Sequence, residues 1–248
     1  MAAGYTSLIP QGAMFIMRKY LIINADDFGA SAGVNRGIAE SHRRGVVTST
    51  SLMVTGRAVR EAVAMSRDCP GLSLGLHWDI SGEGERKVDR SDPAALRDAF
   101  QCQVDAFYDL TGRMPTHIDS HHHLHRRTEI LPVFRELVEP LGLPLRSEHG
   151  VHFIGGFYAQ WEWMVTNLEY ISVPTLQHIL QEEVREGWTE VACHPGYVTP
   201  DFSSVYLQER EEEVRTLTDP RICQTIAALG IQLVNYTDYL AQHTLGVS

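Results

Sequence analysis

Thr116-His117-Ile118-Asp119-Ser120-His121-His122-His123-Leu124-His125 places five of the chain's twelve histidines within nine residues, with an aspartate among them. In an extended conformation alternate side chains share a face. His117, Asp119, His121, His123 and His125 then line one side, and Ile118 and Leu124 fall on the other. That is a polar, metal-ready face backed by an apolar one. The bland alternative is an adventitious histidine-rich loop or a tag. A tag fits poorly, because the run is internal, contains Asp119, and sits between a strand-like entry and a helix-like exit. Clustered imidazole and carboxylate groups are candidates for metal binding or catalysis.

Outward from this run the chain alternates strand and helix. Residues 20–23 form a short apolar strand, ended by Asn24-Ala25-Asp26-Asp27-Phe28-Gly29. Ser31 caps a helix over 33–44 that stops at Gly45. Strands are expected at 46–53, 72–76, 116–119, 143–147, 190–193 and 231–234, with helices at 57–66, 93–111, 129–141, 175–186 and after Asp219-Pro220. The acidic run 208–215 reads as a helix with a solvated face. Residues 150–173 are the least regular, a long loop with a partial helix, holding Trp161 and Trp163. Such rings either line a sugar site or pack down on the fold.

Alternating strands and helices imply an α/β protein with a parallel sheet covered by helices. A doubly wound sheet and a TIM-barrel-like (β/α) barrel variant of about seven strands both satisfy the pattern. The placement of polar groups favours the barrel. Asp26-Asp27, His77, the histidine run, Arg146 and His194 each follow a different expected strand. In a closed parallel barrel those C-terminal ends meet on one rim, where active sites lie.

The bulk properties narrow the class. At 248 residues with 44% hydrophobic content, the chain can bury a substantial core, and no linker divides residues 17–248. Residues 1–16 stand apart as an N-terminal extension. A net charge of −10 with no long basic stretch argues against nucleic acid. No apolar run reaches the roughly 20 residues that span a bilayer. Cys69, Cys102, Cys193 and Cys223 are far apart, which reads as reduced core or near-site thiols in a cytoplasmic protein.

A carboxylate with two histidines leaves room for water on a hydrolytic metal, and this oxygen and imidazole chemistry suits Zn²⁺, Mg²⁺, Mn²⁺ or Fe²⁺. In an extended Asp26-Asp27 pair the neighbours point in opposite directions, so one could bind metal while the other accepts a proton. An Asx-rich turn is equally compatible with that pair. His194 before Pro195-Gly196 is either a general acid on a rigid turn or a structural histidine, and His77 after Gly75-Leu76 is equally open. A zincin site is excluded, because His122 stands where the helical motif needs glutamate.

Asn24-Ala25-Asp26-Asp27-Phe28-Gly29, Asn35-x-Gly37-Ile38, the 45–51 run Gly-Val-Val-Thr-Ser-Thr-Ser, Gly75-Leu76-His77, the 116–125 run and Cys193-His194-Pro195-Gly196 together resemble the YdjC-like carbohydrate deacetylases, a family that includes chitooligosaccharide and hopanoid-biosynthesis deacetylases. The resemblance runs in order from Leu21 to Leu240. It implies a seven-stranded barrel variant and one divalent ion, Mg²⁺ or Zn²⁺, on Asp27, His77 and His121. It also implies Asp26 as the base, His194 as the acid that protonates the departing amine, and Arg146 orienting Asp26. The implied reaction removes an acetyl group from an N-acetylated sugar or oligosaccharide. The rivals are another metal hydrolase, such as a phosphoesterase, and a non-catalytic sugar-binding barrel. The chain departs from the family between His77 and Asp92 and over 150–173, both expected to border the substrate. A homodimer is left open.

Overall fold

A computed structural model describes residues 18–81, 88–200 and 202–244. The expected extension at 1–16 and most of the expected loop after Ser81 lie outside the described residues. Among those described, seven strands form one parallel sheet: β1 (Lys19–Phe28), β2 (Ser49–Leu52), β3 (Ser73–Trp78), β4 (Ile118–Ser120), β5 (Val151–Ile154), β6 (Gly187–Cys193) and β7 (Ile231–Leu233). The order is β4-β3-β2-β1-β6-β5, with β7 also paired to β1. The sheet curls into a half-barrel with helices around it, in agreement with the expected barrel-like α/β class.

Local chemistry sets the helix boundaries. The Ser31 hydroxyl accepts from the Val34 amide at the start of α1 (Ala32–Arg44), and His42, Arg43 and Arg44 crowd its negative end. Asp92 accepts from the Ala94 amide to open α3 (Pro93–Thr111), and Gly112 closes that helix at φ 73°. Between them lies α2 (Val59–Arg67), and α4 (Leu131–Val138), α5 (Val173–Glu182), α6 (Gln208–Leu217), α7 (Pro220–Ala228) and α8 (Tyr236–Thr244) follow. No helix among the described residues is long and apolar enough to cross a membrane. The strand interiors, with Ile23, Leu74, Leu76, Ile118 and Val191 essentially inaccessible to solvent, form the floor of the main apolar cluster.

Several expectations are corrected. The first strand does not stop at Ile23 but runs on through Asp27 to Phe28. The strand expected at 143–147 is reduced to one bridge between Leu145 and Ile118. Ser147, His149 and Gly150 adopt left-handed φ of 67°, 56° and 78°, which turns the chain away from β4. It recovers as β5 beside β6, in the stretch read as a loop. The short run between Leu145 and Val151 therefore links the two ends of the curled sheet. Cys69 and Cys193 are buried, but Cys102 and Cys223 are exposed on α3 and α7, so these two are neither core nor near-site thiols.

Candidate active site

The strand ends converge as expected. β1 carries Asp26 and Asp27, β3 carries His77, β4 carries Asp119 and leads to His121, and β6 leads to His194. The β1–β2 register shifts between Ala25 and Phe28, and Asp27 sits at φ 69°. This bulge re-aims the side chain. Neighbouring carboxylates that would face opposite ways on a regular strand both turn into the site. Gly37 on α1 lets the His194-Pro195-Gly196 turn lie against the helix, since an added Cβ there would stand 2.4 Å from Gly196 Cα.

The histidine run is not extended beyond Ser120. It coils as a 3-10 turn, His121–Arg126, in which His122 and His123 have φ of 53° and 50°. The Ser120 hydroxyl drives the coil by accepting from the His125 amide at 2.9 Å. The single polar face therefore does not exist. His117 lies inside the barrel stacked on Tyr236, with ring centres 3.9 Å apart. His125 packs beside Phe134 and pairs with Ser120. His123 meets Phe153 edge-on. Of the five residues expected on that face, Asp119 and His121 enter the site. Burial pushes the His117, His123 and His125 imidazoles down to about 3, so all three are neutral at ordinary pH.

Three donor atoms meet at one point. Asp27 Oδ1 is 3.2 Å from His77 Nε2 and 3.1 Å from His121 Nδ1, and the two nitrogens are 3.4 Å apart. Ligands about 2.0–2.1 Å from a tetrahedral ion stand about 3.3 Å from one another, so this donor set fits a small divalent metal. His77 has its other nitrogen, Nδ1, 2.6 Å from Asp119 Oδ1, the arrangement that fixes a ligand imidazole and leaves Nε2 facing inward. Ser51 steadies Asp119 by donating to Oδ2 at 2.8 Å. Burial opposes the charged form of His77, but the Asp119 carboxylate outweighs it and lifts this imidazole well above its usual value. A bound ion would compete with that proton.

Beside this point sits a buried charge cluster. Arg146 is fully buried and grips Asp26 with two hydrogen bonds of 2.7 Å. The same guanidinium lies 2.7 Å from Asp119 Oδ2 and donates to Glu190 at 2.8 Å, and Tyr236 donates to Glu190 from the far side. Burial alone would raise the Asp26 and Asp27 carboxyls. The guanidiniums of Arg146 and Arg210 override it and hold both below the ordinary carboxylate range. His194 Nε2 faces Asp26 Oδ2 at 3.9 Å, and burial holds its imidazole down at about 4 despite the attraction of Asp26.

The solvated-face expectation for 208–215 is overturned. Glu209, Arg210 and Glu213 of α6 are buried. Arg210 Nη2 donates to Asp27 Oδ2 at 2.6 Å and Nη1 to the His194 carbonyl at 3.3 Å, while Glu213 accepts from the His194 amide. The signal was present. Arg210, Val214 and Leu217 follow an i, i+4, i+7 stripe, and Glu213 shares it.

The YdjC-like protein family model matches residues 20–228. The chain belongs to the YdjC-like protein family. It is 34% identical over 253 residues to a carbohydrate deacetylase of Geobacillus stearothermophilus, covering 90% of this chain and 99% of that protein. It is 31% identical over 265 residues to a chitooligosaccharide deacetylase of Enterobacter sp. (strain 638), covering 90% of this chain and 100% of the relative. Among solved structures, this YdjC-like chain superposes at a TM-score of 0.77 and 28% identity on an Enterococcus faecalis V583 protein whose name provisionally ties it to cellobiose-phosphate cleavage, covering 90% and 99% of the two chains. A family 4 carbohydrate esterase from Streptomyces lividans, 13% identical with a TM-score of 0.53, shares the fold, covering 87% of this chain and 91% of its own.

Proposed function

We propose that this YdjC-like protein is a metal-dependent carbohydrate N-deacetylase that hydrolyses an acetamido group on a sugar to acetate and a free amine. The observation that carries it is the meeting of Asp27 Oδ1, His77 Nε2 and His121 Nδ1 within 3.4 Å of one another, beside an Asp26 carboxylate clamped by Arg146. The relatives' deacetylase names support the same chemistry.

Asp27, His77 and His121 would hold one divalent ion, Mg²⁺ or Zn²⁺. When bound, that ion supplies Lewis-acid polarisation of the acetyl carbonyl and lowers the pKa of the attacking water. Asp26 accepts a proton from that water. Its ionised state is secured by Arg146, and the two-point grip leaves it little freedom to rotate. His194 gives a proton to the departing nitrogen. Because burial keeps His194 neutral at rest, that proton must first reach Nε2, and Asp26 Oδ2, which faces it at 3.9 Å, delivers it once the gap closes to hydrogen-bond distance or one water bridges it. The water thus ends with its oxygen and one proton on acetic acid, which ionises to acetate, and its other proton on the amine.

The test is acetate and amine release from a panel of free and lipid-linked N-acetylated sugars, after chelation and after reloading with Mg²⁺ or Zn²⁺. Equal yields of acetate and amine, abolished by chelation, are expected. Asp26→Asn should lose about 10²–10⁴ in turnover while still binding metal. Phosphate release from phosphate esters without acetate from any amide would replace this assignment with a phosphoesterase.

A further inference from the structure

The two tryptophans of the irregular region do not pack down on the barrel. Trp161 is 62% exposed and Trp163 is 78% exposed. They sit on a tight hairpin whose tip is closed by the Val165 amide donating to the Glu162 carbonyl. Its base is tied firmly. The Asn167 amide donates to the Ala159 carbonyl at 2.8 Å, and the Ala159 amide donates to the Tyr206 hydroxyl at 3.2 Å. Gln160 donates to Glu209 of α6 at 2.6 Å, and Thr166 donates to the same carboxylate. A polar, anchored base therefore holds large apolar rings out in water, which is the pattern of a recognition surface.

Ring contacts connect this hairpin to the site. Tyr158 lies 5.5 Å from the His194 imidazole and stacks on Tyr206 at 4.8 Å. Trp161 meets Tyr158 edge-on at 6.2 Å. An unbroken aromatic wall thus runs from His194 outward to Trp161. Flat rings with a polar edge suit the apolar faces of sugars while leaving hydroxyls wet. Nucleic acid bases also stack on such rings, but they need a basic groove for their phosphates, and the chain carries a net charge of −10.

We propose that the 159–167 hairpin is a sugar-binding subsite, with Trp161 as the platform for a ring beyond the acetamido unit, so that the preferred substrate is an oligosaccharide. This rests on the deacetylase assignment for the reacting unit, but not on which metal serves it.

Acetate release should be compared on N-acetylglucosamine and on its β-linked dimer and trimer, for the native chain, Trp161→Ala and Trp161→Phe. The native chain should favour the trimer. Trp161→Ala should lower the trimer-to-monomer ratio of kcat/KM by about tenfold, or 1.4 kcal/mol, and Trp161→Phe should restore most of it. An unchanged ratio would overturn the subsite. If no sugar is turned over, the deacetylase assignment fails instead, and quenching of tryptophan fluorescence by the trimer tests the subsite alone. Quenching that saturates in the native chain and is lost in Trp161→Ala supports it. The absence of saturable quenching in the native chain overturns it. Sedimentation settles the rival occupant: a native dimer that dissociates in Trp161→Ala, with sugar handling unaltered, would make the hairpin a contact between copies.

Discussion

Arg210 reaches from α6 to place Nη2 2.6 Å from Asp27 Oδ2, on the opposite oxygen from the one that faces His77 and His121. The guanidinium thereby reserves Oδ1 for the donor cluster. Both side chains are nearly inaccessible to solvent, so removing one partner strands a buried charge. Arg210→Gln should destabilise the metal-free protein by about 3 kcal/mol, with Arg210→Lys recovering only part, since an ammonium cannot also reach the carbonyls of His194 and Tyr206 in the same fork. Urea unfolding measures this, and a loss under about 1 kcal/mol would mean that Asp27 is held by its histidines alone.

Asp119 touches no proposed substrate atom, yet it sets the tautomer of His77. Asp119→Asn should weaken divalent metal binding about 10–100-fold, read by titration of the chelated protein. A dissociation constant matching that of the native chain would show that His77 needs no such partner.

Gly75 in β3 lies against the His117 ring, and an added Cβ would stand 2.4 Å from its Cε1. The ring is pinned on its other side by Tyr236, so it has nowhere to retreat. Gly75→Ala should therefore cost about 1–3 kcal/mol in thermal or urea unfolding. Stability equal to the native chain would require the barrel interior to be looser than the stacking implies.

His117 also sets an acid limit. Its folded pKa is about 3, against an ordinary 6.5, because burial disfavours the cation. Below pH 6.5 the unfolded chain takes up a proton that the folded chain refuses, so stability falls as pH drops from 6.5 towards 3, and this contribution is flat above 6.5. His117→Phe keeps the stacking and removes the titration. Its unfolding free energy should vary with pH between 6 and 4 less steeply than the native chain, by about 1.4 kcal/mol per pH unit. Parallel pH profiles would place the acid sensitivity elsewhere.

Helix limits were legible because caps are local: Ser31, Asp92-Pro93 and Gly112 each act within one turn of themselves. The convergence of polar groups was legible because a parallel strand delivers whatever follows it to one rim. Three features escaped. The alternation from His117 to His125 imitates a strand, but the Ser120 hydroxyl captures the His125 amide and coils the chain after the paired residues Ile118, Asp119 and Ser120. The strand expected around Arg146 has suitable residues, but the bend begins at left-handed Ser147 and His149, residue types that do not advertise it, and its glycine, Gly150, comes only at the far end. Arg210 was hidden differently. Its acidic neighbours dominate the composition of the run, while only the spacing to Val214 and Leu217 betrays its inward face.

β1 bonds to β6 over residues 19–25, to β7 over 19–21 and to β2 over 24–28, and it carries Asp26-Asp27 just before its last residue, Phe28. The two carboxylates proposed for the chemistry are thus bolted to the hub of the sheet. Their backbone cannot breathe without unzipping the molecule's middle, so amide exchange along residues 21–25 should report global unfolding alone. On the proposed function, adaptation to new sugars falls to the peripheral segments, which can drift while the carboxylates beneath them stand still.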